Sequence, residues 1–258
     1  MNKKKLNSEP NPTLVNLRDN KAKWNLPEYR REGYRNLHRI NRYGLFLRSD
    51  QVLQLNKNIN HEIEKIPLVQ KMTNHKSFCS LVVGRDQDIL LEKYANDFSE
   101  LQPQTIMSIS KMYLNLFVGE LVEKKKLDLS KKISFYLPNI GSGYANATVQ
   151  NILNMNVDNL YTEDYTDAFS SSFAHESVGG WRLPEILNDN ENQEEFLNKI
   201  KATNEIDPTN QSEFAKYKSA NSDVIGILVE KVSGIPLRDW ALSAVEAAGF
   251  EDALYMAT

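Results

Sequence analysis

An α+β fold is what this sequence predicts: strands first, helices after them. Two apolar, β-rich runs, residues 78–84 and 89–94, flank the polar residues Arg85, Asp86, Gln87 and Asp88. That arrangement reads as a β-hairpin. From Ser108 the apolar spacing changes to that of a helix. The order is the third observation, because strands followed by helices, rather than alternating with them, mark the α+β class.

Each later element has its own signal. Ile109, Met112, Tyr113, Leu116, Phe117 and Leu121 fall on one helical stripe, enough for about four turns. Lys124, Lys125 and Lys126 end it, where positive charge suits the C-terminal dipole and a solvated face. Residues 127–130 and 133–138 read as short helical turns, the second stopped by Pro138. Thr148 is placed to cap a short helix through Val149, Ile152 and Leu153. Residues 156–190 are polar and irregular, with Gly179 and Gly180, and read as a long functional loop region. Residues 194–200, 219–232 and 236–248 read as helices, the second with Gly234 just past its end.

Composition narrows the function classes. The 258 residues carry 31 Lys+Arg against 34 Asp+Glu, a net charge of -3, which gives no case for nucleic acid as a partner. No stretch approaches the ~18 apolar residues of a membrane span. A single cysteine, Cys79, excludes an internal disulfide framework and a multi-cysteine zinc site; a buried apolar role is the default for it. The polar start, Met1 to Pro10, is followed by no apolar signal core, so a cytoplasmic protein with a loose N-terminal segment, residues 1–25, is expected. Basic and aromatic residues then cluster at Trp24, Tyr29, Arg30, Arg31, Tyr34, Arg35, His38, Arg39, Arg42 and Tyr43. One reading is a surface for an anionic ligand or RNA. The other is an arm laid across the domain with Arg stems packed on aromatic rings, and the near-neutral overall charge favours it.

Most catalytic signatures are missing. His38, His61, His75 and His175 show no metal-ligand pairing, and there is no G-x-S-x-G elbow or P-loop. Each lone His reads as a surface or hydrogen-bonded residue, and no metal or cofactor is expected. One motif differs: Ser108-Ile109-Ser110-Lys111. The i, i+3 spacing stacks Ser108 and Lys111 on one helix face. Unpaired N–H groups and the dipole at the helix start favour developing negative charge there. A partly buried Lys can lose its proton and draw on the Ser hydroxyl, a route to a Ser nucleophile without His. Taken alone, the same spacing also fits an ordinary helix start.

Context adds a resemblance. The stretch from Thr105 to Met112, then Leu121-Val122-Glu123-Lys124-Lys125-Lys126-Leu127-Asp128-Leu129, then Phe135-Tyr136-Leu137-Pro138, resembles the penicillin-recognising serine hydrolases: class C β-lactamases, DD-peptidases and related esterases. Lys125 stands where that family has Gly. Tyr217-Lys218-Ser219-Ala220-Asn221 and the helix after it resemble the family's second motif in either of two registers. In one, Tyr217 is the general base and Ser219 replaces an Asn; in the other, Ser219-Ala220-Asn221 is the Ser-x-Asn of DD-peptidases. Counting back from Gly226 and Gly234 favours Tyr217. The resemblance implies that Ser108, Lys111 and Tyr217 are catalytic and that Ser219 and Asn221 bind substrate.

Met155, the stretch Tyr161-Thr162-Glu163-Asp164-Tyr165, Gly179-Gly180-Trp181 and the early Trp24 are similar to the branch of aminohexanoate-oligomer hydrolases and class C-like esterases. That branch implies a substrate-facing Tyr165. Asp158 stands where many relatives have Gly. The family implies an antiparallel sheet flanked by helices plus a helical subdomain, here the hairpin 78–94 and residues 108–235 within a domain of residues 26–258. It also implies later strands carrying Lys/His-x-Gly and half of the oxyanion hole. Those strands are not in this chain, which therefore reads as the N-terminal part of such an enzyme. The expected reaction is hydrolysis of a small ester, amide or peptide-like substrate through acyl-Ser108, with little activity in this chain by itself. The other reading is a non-catalytic binding module or inactive fragment. Oligomeric state is not legible.

Overall fold

The computed structural model describes residues 23–40, 44–183 and 191–257. Arg42 and Tyr43 lie outside these, as does nearly all of the segment expected to be loose. Its Trp24 is described, and it is buried. The chain runs through helix α1 (Arg30–Arg35), strands β1 (Gly44–Leu47) and β2 (Asn56–Lys57), and helix α2 (Pro67–Thr73). The hairpin follows as β3 (Ser80–Arg85) and β4 (Asp88–Tyr94). Ser80 lies opposite Tyr94, the register shifts between Val83 and Gly84, and the tip passes through Asp86 at φ 55°.

The hairpin finds a partner within this chain. Strand β2 pairs parallel to β4, giving the order β2-β4-β3. A second sheet joins β1 to β5 (Leu254–Ala257), antiparallel, with Gly44 opposite Ala257. The residues after α10 (Leu237–Ala248) thus form a strand. Phe46 sits opposite Tyr255, their rings edge-to-face at 5.0 Å, the kind of cross-strand pair that fixes a short ladder.

Between β4 and β5 along the chain comes the helical body. A 3-10 turn (Met107–Ser110) leads into α3 (Lys111–Glu123). Three short helices follow, α4 (Ile133–Tyr136), α5 (Ser142–Ala145) and α6 (Val149–Leu153). Then come α7 (Ser171–Val178), α8 (Gln193–Lys199), α9 (Ser219–Ser233) and α10 (Leu237–Ala248). Phe117, Val118 and Leu121 of α3 pack with Val224, Ile225 and Leu228 of α9 in one buried core. Trp240 of α10 closes that core against Phe117, rings 5.2 Å apart.

Local signals explain the helix ends. Thr148 Oγ1 accepts from Asn151 N–H at 3.1 Å, and Asn151 Oδ1 accepts from Thr148 N–H at 3.1 Å, a reciprocal capping box. Gly234 ends α9 at φ 71°, a conformation in which a side chain would be strained. Two expectations need correction. Residues 127–130 are not helical: Asp128 Oδ1 takes the N–H and hydroxyl of Ser130 at 2.9 and 2.7 Å, and such side-chain acceptors compete with helix formation. The region read as loop, 156–190, contains α7. Its apolar stripe is too weak to read, and it is held by tertiary contacts through buried Ser172 and His175.

Candidate active site

Strain and helix geometry together present Ser108. Met107 precedes it at φ 46°, a left-handed conformation for a non-glycine residue. Ser110 Oγ donates to Met107 O at 2.7 Å and holds the turn. Ser108 is solvent-exposed. One turn on, Lys111 Nζ donates to Ser108 Oγ at 3.1 Å.

The third group arrives from 109 residues away: Tyr217 OH donates to Ser108 Oγ at 2.5 Å. Its neighbours on both sides anchor the segment. Lys216 Nζ bonds Asp158 Oδ1 at 2.8 Å. Lys218, 4% exposed, donates to Asn159 O at 3.0 Å and also to Asn159 Oδ1. Burial first, and then the Lys216 charge, push Lys218 down to about 8. Asp158 does not adopt a positive φ, so an aspartate fits where relatives have Gly, and its carboxylate serves to pin Lys216.

The Tyr217 phenol is held below its ordinary value. Partial burial pushes it up, but hydrogen bonding with Ser108, Lys111 and Ser219, and the charge of Lys111, together outweigh that. Lys111 Nζ lies 5.4 Å from the centre of the Tyr217 ring. The resulting Ser-Lys-Tyr cluster contains a hydroxyl to be activated and a phenol biased toward its anion.

Ser108 and Lys111 line a cleft of about 620 Å³, together with Tyr165, Ser219, Glu176 and Trp24. Tyr165 and Ser219 converge on one carboxylate, Glu163, whose place in the sequence carries no signal of that role. Glu163 Oε1 accepts from Ser219 Oγ at 2.8 Å and from Tyr165 OH at 3.0 Å, and Oε2 accepts from Ser219 N–H. Behind it, Tyr161 OH meets His175 Nδ1 at 2.9 Å, and His175 Nε2 meets Asp223 Oδ2 at 2.5 Å. Burial, with Glu163 charge second, raises the Tyr161 phenol far above its ordinary value. His175 is thus a buried, hydrogen-bonded residue, stacked on Phe196 at 5.1 Å. Its only sequence signal was being a His inside a polar stretch.

Asn221 is elsewhere. It is 0% exposed, accepts from Tyr144 OH at 3.1 Å and donates to Ile152 O at 3.4 Å. Its amide is occupied inside the core of α9 and does not reach the cleft, so the expected substrate contact from Asn221 is corrected to a core hydrogen bond. Tyr217 does reach Ser108, and the two registers left open by the sequence thus differ in place. Among the described residues, no cluster of three or more His, Cys, Asp or Glu is arranged to hold a metal ion. Nor is any helix there long and apolar enough to cross a membrane.

Comparison with known proteins bears on this arrangement. The family model described as Beta-lactamase matches residues 72–245, a span that holds Ser108, Lys111 and Tyr217. The chain belongs to the beta-lactamase family. Within that family it is 28% identical over 172 residues to 6-aminohexanoate-dimer hydrolase of Paenarthrobacter ureafaciens, covering 66% of this chain and 42% of the relative. A solved structure of a candidate 6-aminohexanoate-dimer hydrolase from Bacillus anthracis superposes with TM-score 0.75 at 19% identity. That match covers 97% of this chain and 66% of the other. The α+β fold is thus that of the beta-lactamase family. The chain spans about two-fifths of the length of the curated relative it matches.

Proposed function

We propose that this beta-lactamase family chain carries the Ser-Lys-Tyr centre of a serine hydrolase of small carboxylic esters or amides, acting through an acyl-Ser108 intermediate. The single observation behind the reading is the convergence on Ser108 Oγ of Tyr217 OH at 2.5 Å and Lys111 Nζ at 3.1 Å. The Tyr217 phenolate takes the Ser108 proton as Oγ attacks the substrate carbonyl. The Ser–acyl bond forms, and the leaving alcohol or amine departs with the proton that Tyr217 returns. Water then hydrolyses the acyl-Ser108 ester by the same route in reverse. Lys111 holds the Ser108 oxygen and biases Tyr217 toward its anion. The Ser108 N–H, in the 3-10 turn that enters α3, supplies one oxyanion donor.

The relative's printed substrate, a 6-aminohexanoate dimer, makes a linear amide the first class to try. Tyr165 and Ser219, on the cleft wall, contact it in this reading. Intact-mass measurement after exposure to an activated acyl ester tests the reading. A single adduct is expected, lost in Ser108→Ala. An adduct that persists in Ser108→Ala sinks it.

A further inference from the structure

The Ser-Lys-Tyr cluster leaves the basic N-terminal arm without a role. Its most unusual member is Arg35 of α1, 5% exposed. The guanidinium lies on the Phe98 ring at 5.1 Å, and Nη2 is 3.0 Å from Asp97 Oδ2. Asp97 is already engaged, since Arg31 forks both of its oxygens through Nε and Nη2 at 2.6 Å each. That fork, helped by Arg35, holds the Asp97 carboxyl well below the usual range, so it stays ionised. One carboxylate therefore faces two guanidiniums. Arg35 Nε is buried without a hydrogen bond, and Nη2 has only its share of the Asp97 carboxylate. A buried cation left short of acceptors is costly, and the deficit calls for an explanation.

An explanation lies beside it. Arg35 lines a cavity of about 350 Å³ with Asn36, His38, Arg39, Ser99 and Gln102. The lining residues carry two guanidiniums, two side-chain amides, two hydroxyls (Ser99 and Tyr255) and an imidazole, and no carboxylate lines the space among the described residues. Arg35 and His38 also line the cleft that holds Ser108, so the two cavities share a wall. His38 packs on Tyr255 of β5 at 4.7 Å, which joins that wall to the second sheet.

We infer that this cavity is an oxyanion-binding site that takes a carboxylate or phosphate group, held by Arg35 and Arg39 with Ser99 and Gln102 as further donors. Planar guanidiniums are the side chains best matched to such groups. The anion is either the tail of an anionic substrate reaching over the shared wall or a free small anion. The binding claim stands whether or not Ser108 acylates.

Calorimetric titration of the full chain tests it, with succinate and inorganic phosphate as probes and succinamide as the neutral control. Saturable 1:1 binding of an anion and none of succinamide is expected. Arg39→Gln, at an exposed position, leaves the fold intact and weakens binding about tenfold or more. Arg35→Lys keeps the charge, loses the planar fork and weakens it as well. No saturable anion binding, or binding unchanged in both variants, overturns the proposal. The source is read by acylation with an ester bearing a terminal carboxylate and with its methyl-capped analogue. Competition by succinate against the first alone assigns the site to the substrate tail. Competition against neither, with anion binding intact, assigns it to a free anion.

Discussion

Tyr217 is the residue on which the proposed chemistry turns. Its phenol is net lowered through Ser108, Lys111 and Ser219 against the opposing effect of burial. The anion is the base, so the acylation rate should rise with pH and level off at a midpoint below the ~10 of free tyrosine. Tyr217→Phe should remove that rise and slow acylation by about 10²–10⁴-fold; a stopped-flow pH profile checks both. Glu163 acts at one remove, as a positioning residue that ties Ser219 and Tyr165 together. In Glu163→Gln the amide cannot accept all the donors the carboxylate serves. Acylation is expected to fall about tenfold, the value of one charge-assisted hydrogen bond, while the pH midpoint is displaced with it. An unchanged rate and midpoint would show that Ser219 and Tyr165 hold their places without Glu163.

At the scale of the element, the turn after α3 stores a measurable cost. Lys125 sits at φ 54°, where the resemblance has Gly, and a side chain in the left-handed region costs about 1–2 kcal/mol. Lys125→Gly should therefore raise the melting temperature by several degrees, less the greater entropy that Gly adds to the unfolded chain. At α6 the opposite holds. Thr148→Ala removes a reciprocal cap and should cost about 1 kcal/mol in a denaturant titration. The capping and C-terminal glycine signals were legible because they are local: Thr148 and Gly234 act within a few residues of themselves. Strands β1 and β5 were not, because four residues carry too little alternation to distinguish from loop. Their pairing joins Gly44 to Ala257 across almost the whole chain.

For the whole molecule, the N-terminal arm and the cleft form one structure. Trp24 Nε1 donates to Trp181 O at 3.1 Å, and the two rings lie 6.4 Å apart. The chain passes so closely that a Cβ at Gly33 would sit 2.1 Å from Trp24 O. Trp24 lines the cleft as well. Trp24→Ala should cost about 3–5 kcal/mol by thermal or chemical unfolding, and it should loosen substrate binding more than a surface change would. Equal stability in the variant would mean that the arm is held by Arg31 and Arg35 on Asp97 instead.

What depends on neighbours along the chain can be read from the string of residues alone. These are the hairpin, the helical stripe from Ile109 to Leu121, the caps, and the placing of Ser108 one helical turn before Lys111. The sequence also carried the family resemblance, because the Ser-x-x-Lys stretch and the Tyr217 segment are contiguous strings. Packing made the choice between residues that the string holds equally near. It brought Tyr217 to Ser108, sent Asn221 into the core against Tyr144, and made Glu163 the common acceptor of Ser219 and Tyr165. The physical reason is that α9 turns every third or fourth side chain to one face. Two positions separate Ser219 from Asn221, but they lie on different sides of the helix, and the packing of α3 against α9 decides which side meets the cleft.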